Sequence, residues 1–166
     1  MIQYYFGGRQ GLYEAMFDRA FDRLGARVAD AIEALPPGGD PIETLLRTHS
    51  AAMSADPWIP QLMAREVLAR QGSFRERFKE RVADRPLAVM RRAIEEAIER
   101  GALRQDLDPT LCILTLGSLS AFPYLIGPVL GDRLGIELDD AFRERLVEHN
   151  LALIARGLRA RNEELE

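Results

Sequence analysis

The chain has little of what covalent or metal frameworks are built from. Its single cysteine, Cys112, excludes an intramolecular disulfide network and any zinc site of several thiolates. The two histidines, His49 and His149, stand far apart, and neither belongs to an HExxH or Glu-x-x-His pattern. That argues against zinc proteases and carboxylate-bridged di-iron bundles. Gly7-Gly8 and Gly38-Gly39 lack the lysine or following glycines of a phosphate loop, and no serine sits in a Gly-x-Ser-x-Gly elbow. Lysine occurs once, at Lys79, and 22 basic against 26 acidic residues leave a net charge of −4. The chain therefore lacks the positive excess of a nucleic-acid binder. Met1-Ile2-Gln3-Tyr4 has no basic stretch followed by a long apolar one, so no signal peptide is expected. A reducing cytoplasm suits the lone thiol.

What the sequence does have is helix-forming composition. Its 166 residues fit one domain able to bury a core without staples. Apolar residues make up 47% and charged residues 29%, the balance of a folded globular chain. Leucine (23) and alanine (21) outweigh valine, isoleucine and threonine together (20), and no segment alternates with the period of a strand. The expected fold is all-α, with six or seven helices.

Asp40-Pro41, Asp56-Pro57 and Asp108-Pro109 each read as a helix start. An aspartate accepts from the orphan first-turn amides, and proline at the next position has no N–H to leave unpaired. Glu43 stands where a capping box needs it. A first long helix is expected from about Arg9 to Leu35, carrying Leu12, Met16, Phe17, Ala20, Phe21, Leu24, Val28 and Ile32 on one stripe, and ended by Pro36-Pro37-Gly38-Gly39. Further helices are expected from Pro41 to about Ala55 and from Pro57 onward. Gln71-Gly72-Ser73 precedes a segment with Phe74, Phe78 and Val82. Pro86 breaks or kinks that segment, and Gly101 closes the next helix as a left-handed cap.

Residues 110 to 131 carry no charge, long enough to meet the ~20 apolar residues of a membrane span. Pro123 and Gly127-Pro128 are expected to cut this run into two pieces, and Thr110, Thr115, Ser118 and Ser120 lower its hydrophobicity. The reading preferred is a helix buried on all sides, one side by a second subunit, with Gly117 and Ala121 allowing close approach. A last helix from Asp139 or Asp140 to Arg161 carries two neighbouring stripes. Phe142, Leu146, His149, Asn150 and Leu153 form one; Val147, Leu151, Ile154 and Leu158 form the other. Two stripes ask for two partners.

Two polar residues interrupt apolar stripes. His49 lies between Leu46 and Met53, and Glu66 between Met63 and Val67. Each either converges on a ligand cavity, or else snorkels to solvent or satisfies a core hydrogen bond. If a pocket exists, its wall should come from the bulky and adaptable residues of the same central helices: Met53, Trp58, Met63, Phe74, Phe78 and Met90. Cys112, in the uncharged run, reads either as a small buried hydrophobe or as part of such a site. An enzyme using Cys112 or Glu66, and a helical adaptor built on the uncharged run, are the alternatives. No metal or cofactor is expected.

The opening Ile2-Gln3-Tyr4-Tyr5-Phe6-Gly7-Gly8-Arg9-Gln10-Gly11-Leu12 resembles the junction between recognition helix and fourth helix in tetracycline-repressor (TetR) family regulators. Tyr4, Tyr5 and Phe6 match the aromatic stretch and Gly7 the turn. Arg9 takes the place of the lysine that meets DNA phosphate, while Gly8 replaces the usual serine cap and Gln3 a common tyrosine. Gly101 to Pro109 is similar to a turn found in many members. The resemblance implies that residues 1–8 are a remnant of the DNA-binding domain, with Tyr4, Tyr5 and Arg9 as its DNA contacts. The three-helix head would need roughly forty more residues before Ile2. It implies that 9–166 form the ligand-sensing and dimerising domain of a cytoplasmic transcriptional regulator, a repressor. The effector would be a small apolar or amphipathic molecule held near His49, Met53, Trp58, Met63, Glu66, Phe74, Phe78, Met90 and Cys112. A homodimer would form through Gly117, Ala121, Phe122, Phe142, Leu146, His149, Asn150 and Leu153. Operator DNA would be bound only by a full-length form, and no membrane is expected as partner.

Overall fold

A computed structural model describes residues 8–69, 74–83 and 85–158. The expected DNA contacts Tyr4 and Tyr5, the side chain of Arg9, the Gln71–Ser73 break and the last turn toward Arg161 lie outside the described residues. Among those described there are seven helices and no strand, as the composition predicts.

Helix α1 runs Arg9–Glu33 and follows Gly8, whose φ of 115° favours glycine. Phe17, Ala20, Phe21, Val28 and Ile32 are buried along its stripe, whereas Met16 is half exposed. Helix α2 spans Pro41–Ala55, and Asp40 caps it by accepting from the amides of Ile42 (2.9 Å) and Glu43 (3.2 Å). The Glu43 carboxylate turns to Arg47 (2.8 Å), so its expected capping-box role gives way to an i,i+4 ion pair.

Helix α3, Trp58–Leu62, continues directly into a π-helical stretch, Met63–Leu68, closed by Ala69 N–H donating to Ala64. Asp56 does not cap it with its carboxylate. Asp40 and Asp108 are extended at their ψ of 106° and 116°, but Asp56 sits at ψ 70° and Pro57 is already helical. Only the Asp56 carbonyl contributes, accepting from Ile59 N–H at 2.9 Å. Helices α4 (Arg75–Ala83) and α5 (Arg85–Glu99) divide next to Pro86, which stands at the second position of α5, where a missing N–H costs little. Gly101, at φ 74°, ends α5: its N–H reaches Ile98 and that of Ala102 reaches Ala97. This is the paired bond pattern of a left-handed helix cap.

Helix α6 runs unbroken from Pro109 to Leu134, capped by Asp108 on Thr110 (2.7 Å) and Leu111 (3.2 Å). The expected division at Pro123 and Pro128 does not occur. Pro123 has no N–H for the Leu119 carbonyl four residues back, and Asn150 Nδ2 supplies that hydrogen bond at 3.1 Å from the last helix, α7 (Asp140–Leu158). Gly135, at φ 63°, closes α6, and Gly127 and Gly131 leave space for Ile136 and Leu138 to fold back across it.

The core forms two clusters. Phe17, Phe21, Met53, Ile59, Phe74, Tyr124 and Phe142 make one; Phe17 stacks on Phe74 with centroids 4.4 Å apart. Val28, Ile42, Leu46, Ile94, Cys112, Leu116 and Ile154 belong to the other. Burial of each large apolar side chain contributes about 1.5–3 kcal/mol. Leu24, midway along α1, packs against both clusters.

Candidate functional site

A small, half-open cavity of about 100 Å³ lies near that junction. Helix α1 gives it Leu24, Gly25 and Val28; α2 gives His49; the π-helical stretch gives Met63; α4 gives Phe78; α5 gives Pro86 and Met90. Five segments distant in sequence thus meet around one polar side chain. His49 Nδ1 lies 2.8 Å from Ser120 Oγ of α6. Ser120 is itself buried, and its hydroxyl bonds back to the Leu116 carbonyl at 2.7 Å. Burial pushes the His49 imidazole down to about 4, so it is neutral at pH 7. The cavity wall is otherwise uncharged, which suits a neutral occupant with an apolar body.

Of the nine residues assigned to a pocket from sequence, His49, Met63, Phe78 and Met90 come together here. The other five do not. Met53 and Phe74 are consumed by the first core cluster, Phe74 between Phe17 and an edge-on Tyr13. Cys112 packs in the second cluster, where burial, then the charge of Asp108, raises its thiol and keeps it protonated. Glu66 pairs with Arg65 at 2.8 Å and is not on the cavity wall. Trp58, 40% exposed, stands beside a separate open cleft of about 410 Å³ with Tyr13, Met16, Gln61 and Arg65. The guanidinium of Arg65 donates to the Tyr13 hydroxyl there.

Sequence reasoning missed Ser120 and the α1 wall. A signal for Ser120 was present: a hydroxyl inside an apolar run and a histidine inside an apolar stripe can satisfy one another. The α1 residues gave none, because their spacing is that of any buried stripe.

The residues assigned to a dimer interface also divide. Phe142 is buried in this chain's own core, edge-on to Tyr124 (6.1 Å), and Asn150 is buried against α6. Leu146 is partly buried against the first cluster. These three are engaged within the chain, because α7 docks on α2 and α6 through Phe142, Val147, Asn150 and Ile154. His149 and Leu153 face outward. In the single chain one face of helix α6 is exposed. Leu111, Leu114, Ser118, Phe122 and Val129 form an exposed row at the spacing of one helix face, with Gly117 and Ala121 partly buried at its edge. By length and composition alone α6 could cross a bilayer.

Among the described residues no cluster of three or more histidines, cysteines or carboxylates could hold a metal ion. No protein-family model matches the chain, and a search of curated proteins finds no match.

Proposed function

We propose that the chain is the effector-binding and dimerising part of a TetR-type one-component transcriptional regulator, a cytoplasmic repressor. The observation that carries this reading is the small apolar cavity with His49 on its wall and α1 along its side. An occupant touching Leu24, Gly25 and Val28 presses on the helix that, in a full-length form, leads from the DNA-reading head. The Ile2–Leu12 junction read from the sequence points the same way. For such a molecule to act as an effector it must bind two head spacings with different affinity; equal affinity shifts nothing.

A second copy of the chain is the proposed cover for the α6 row. Leu111, Leu114, Phe122 and Val129 are each 58–72% exposed on one uncharged face. Monomers rarely leave such a contiguous patch in water. A β-carbon added at Gly117 would meet nothing within 4 Å, so no contact inside the chain requires glycine there.

Native mass spectrometry of the purified chain tests the assembly. A species at twice 18.7 kDa is expected. Leu114→Glu with Phe122→Glu should give a folded monomer. A monomeric wild type overturns the dimer, and partition into detergent assigns the row to a bilayer. A thermal-shift panel of small apolar compounds tests the cavity: stabilising compounds should lose their effect in His49→Ala, and unchanged shifts remove His49 from the site.

A further inference from the structure

The hydrogen atoms around His49 can be counted. Ser120 has one hydroxyl hydrogen, and the Leu116 carbonyl at 2.7 Å, with Gly117 at 3.2 Å, can only accept it. Ser120 Oγ therefore accepts from His49, and the donor over 2.8 Å is Nδ1–H. A neutral imidazole has a single N–H, so Nε2 is left with a bare lone pair. Nε2 has no partner among the described residues, yet it is absent from the polar atoms sealed away without one. His49 is partly exposed in the structure, and its ring lines the cavity.

We propose that the cavity takes a compact, uncharged molecule, one ring in size, whose single hydroxyl or N–H donates to His49 Nε2. This rests on the reading of the cavity as the effector site and names the effector's chemistry. Leu24, Val28, Phe78 and the two methionines hold its apolar body. The volume of about 100 Å³ is roughly two thirds of the ~150 Å³ of a cavity that admits benzene, so a one-ring guest requires Met63 and Met90, walls that can adjust, to give way. A carboxylate is rejected twice, because Nε2 offers it no hydrogen and the wall offers no cation. An analogue lacking the donor leaves the lone pair desolvated and unpaired, which costs affinity out of proportion to the atom removed.

Phenol, toluene and benzoate are the probes, titrated into the whole chain with ¹⁵N-labelled histidine. The expected free state has Nδ1 protonated and Nε2 bare. Phenol should move the Nε2 resonance and bind, while benzoate should not. The preference for phenol over toluene should fall about tenfold in His49→Leu. Ser120→Ala keeps the ring but should relax the choice of protonated nitrogen. If His49→Leu does not fold, the wild-type ring resonances decide alone. A free state protonated at Nε2 overturns the inference, as does benzoate binding as well as phenol. An unchanged phenol-to-toluene ratio in His49→Leu overturns it too, while leaving the cavity as an effector site. Failure of every probe, phenol included, to bind or move the resonance overturns the effector-site reading as well.

Discussion

Asn150 on α7 donates its side-chain amide to the carbonyl of Leu119 on α6, the carbonyl that Pro123 leaves without its helical donor. One residue creates the vacancy in the hydrogen-bond ladder and another, 27 positions later in the chain, fills it. Asn150→Ala should destabilise the fold by about 1–3 kcal/mol, the cost of a buried carbonyl left unpaired. In a Pro123→Ala background an amide is restored at 123, so the same substitution should cost less. A double-mutant cycle by urea denaturation measures this, and additive effects would show that the two residues do not share the carbonyl.

Acid should act on His49 in a definite direction. The unfolded imidazole titrates near 6.5, whereas the folded one is pushed to about 4 by burial. Between those values the unfolded chain binds a proton that the folded chain refuses. The contribution is therefore fully present above pH 6.5 and is lost as pH falls toward 4, to a bound of ~3 kcal/mol. Stability curves of wild type and His49→Leu from pH 7 to 4.5 isolate it, since the carboxylates are common to both. Wild type should lose more over that range; parallel curves would contradict the assignment.

Two glycines of α6 should respond differently to alanine. At Gly131 the new β-carbon would lie 2.9 Å from the Ile136 carbonyl oxygen, which is backbone. At Gly127 it would meet Leu138 Cδ2, also at 2.9 Å, but that side chain can rotate. Gly131→Ala should cost about 1–3 kcal/mol and Gly127→Ala clearly less, helped by alanine's helix preference. Thermal unfolding ranks them, and a reversed order would be inconsistent with the packing of residues 136–138 on this helix.

The three Asp-Pro starts make a similar set. Asp40→Ala and Asp108→Ala each remove an observed cap and should cost ~1 kcal/mol. Asp56→Ala should fall within about 0.5 kcal/mol of wild type. A full capping cost at Asp56 would mean that its carboxylate reaches α3 after all.

These contrasts show what sequence can and cannot resolve. Pro41–Ala55 was legible because its cap, its proline and its stripe all lie in one local stretch. Asp56 carries the same dipeptide, but a cap also depends on ψ, and Asp56 is already the C-cap of α2. The division expected at Pro123 failed because the compensating amide comes from another helix. Along α7 the apolar spacing announced that faces would be covered, yet only packing decides whether Phe142 meets its own core or another chain. The same holds for the site. His49, Met63, Phe78 and Met90 stood out by residue type, while the α1 wall was hidden among ordinary stripe residues.

Cys112 has a practical consequence. It is 4% exposed inside the second cluster, and no other residue of the chain is a thiol. An alkylating reagent reaches it only when that part of the core opens, so its rate, divided by the rate for an unfolded thiol, reads the open fraction. Each molecule can gain a single mass increment. The chain thus carries its own clock for breathing of the α2–α5–α6 core, and anything that quiets that motion will be seen as the clock running slow.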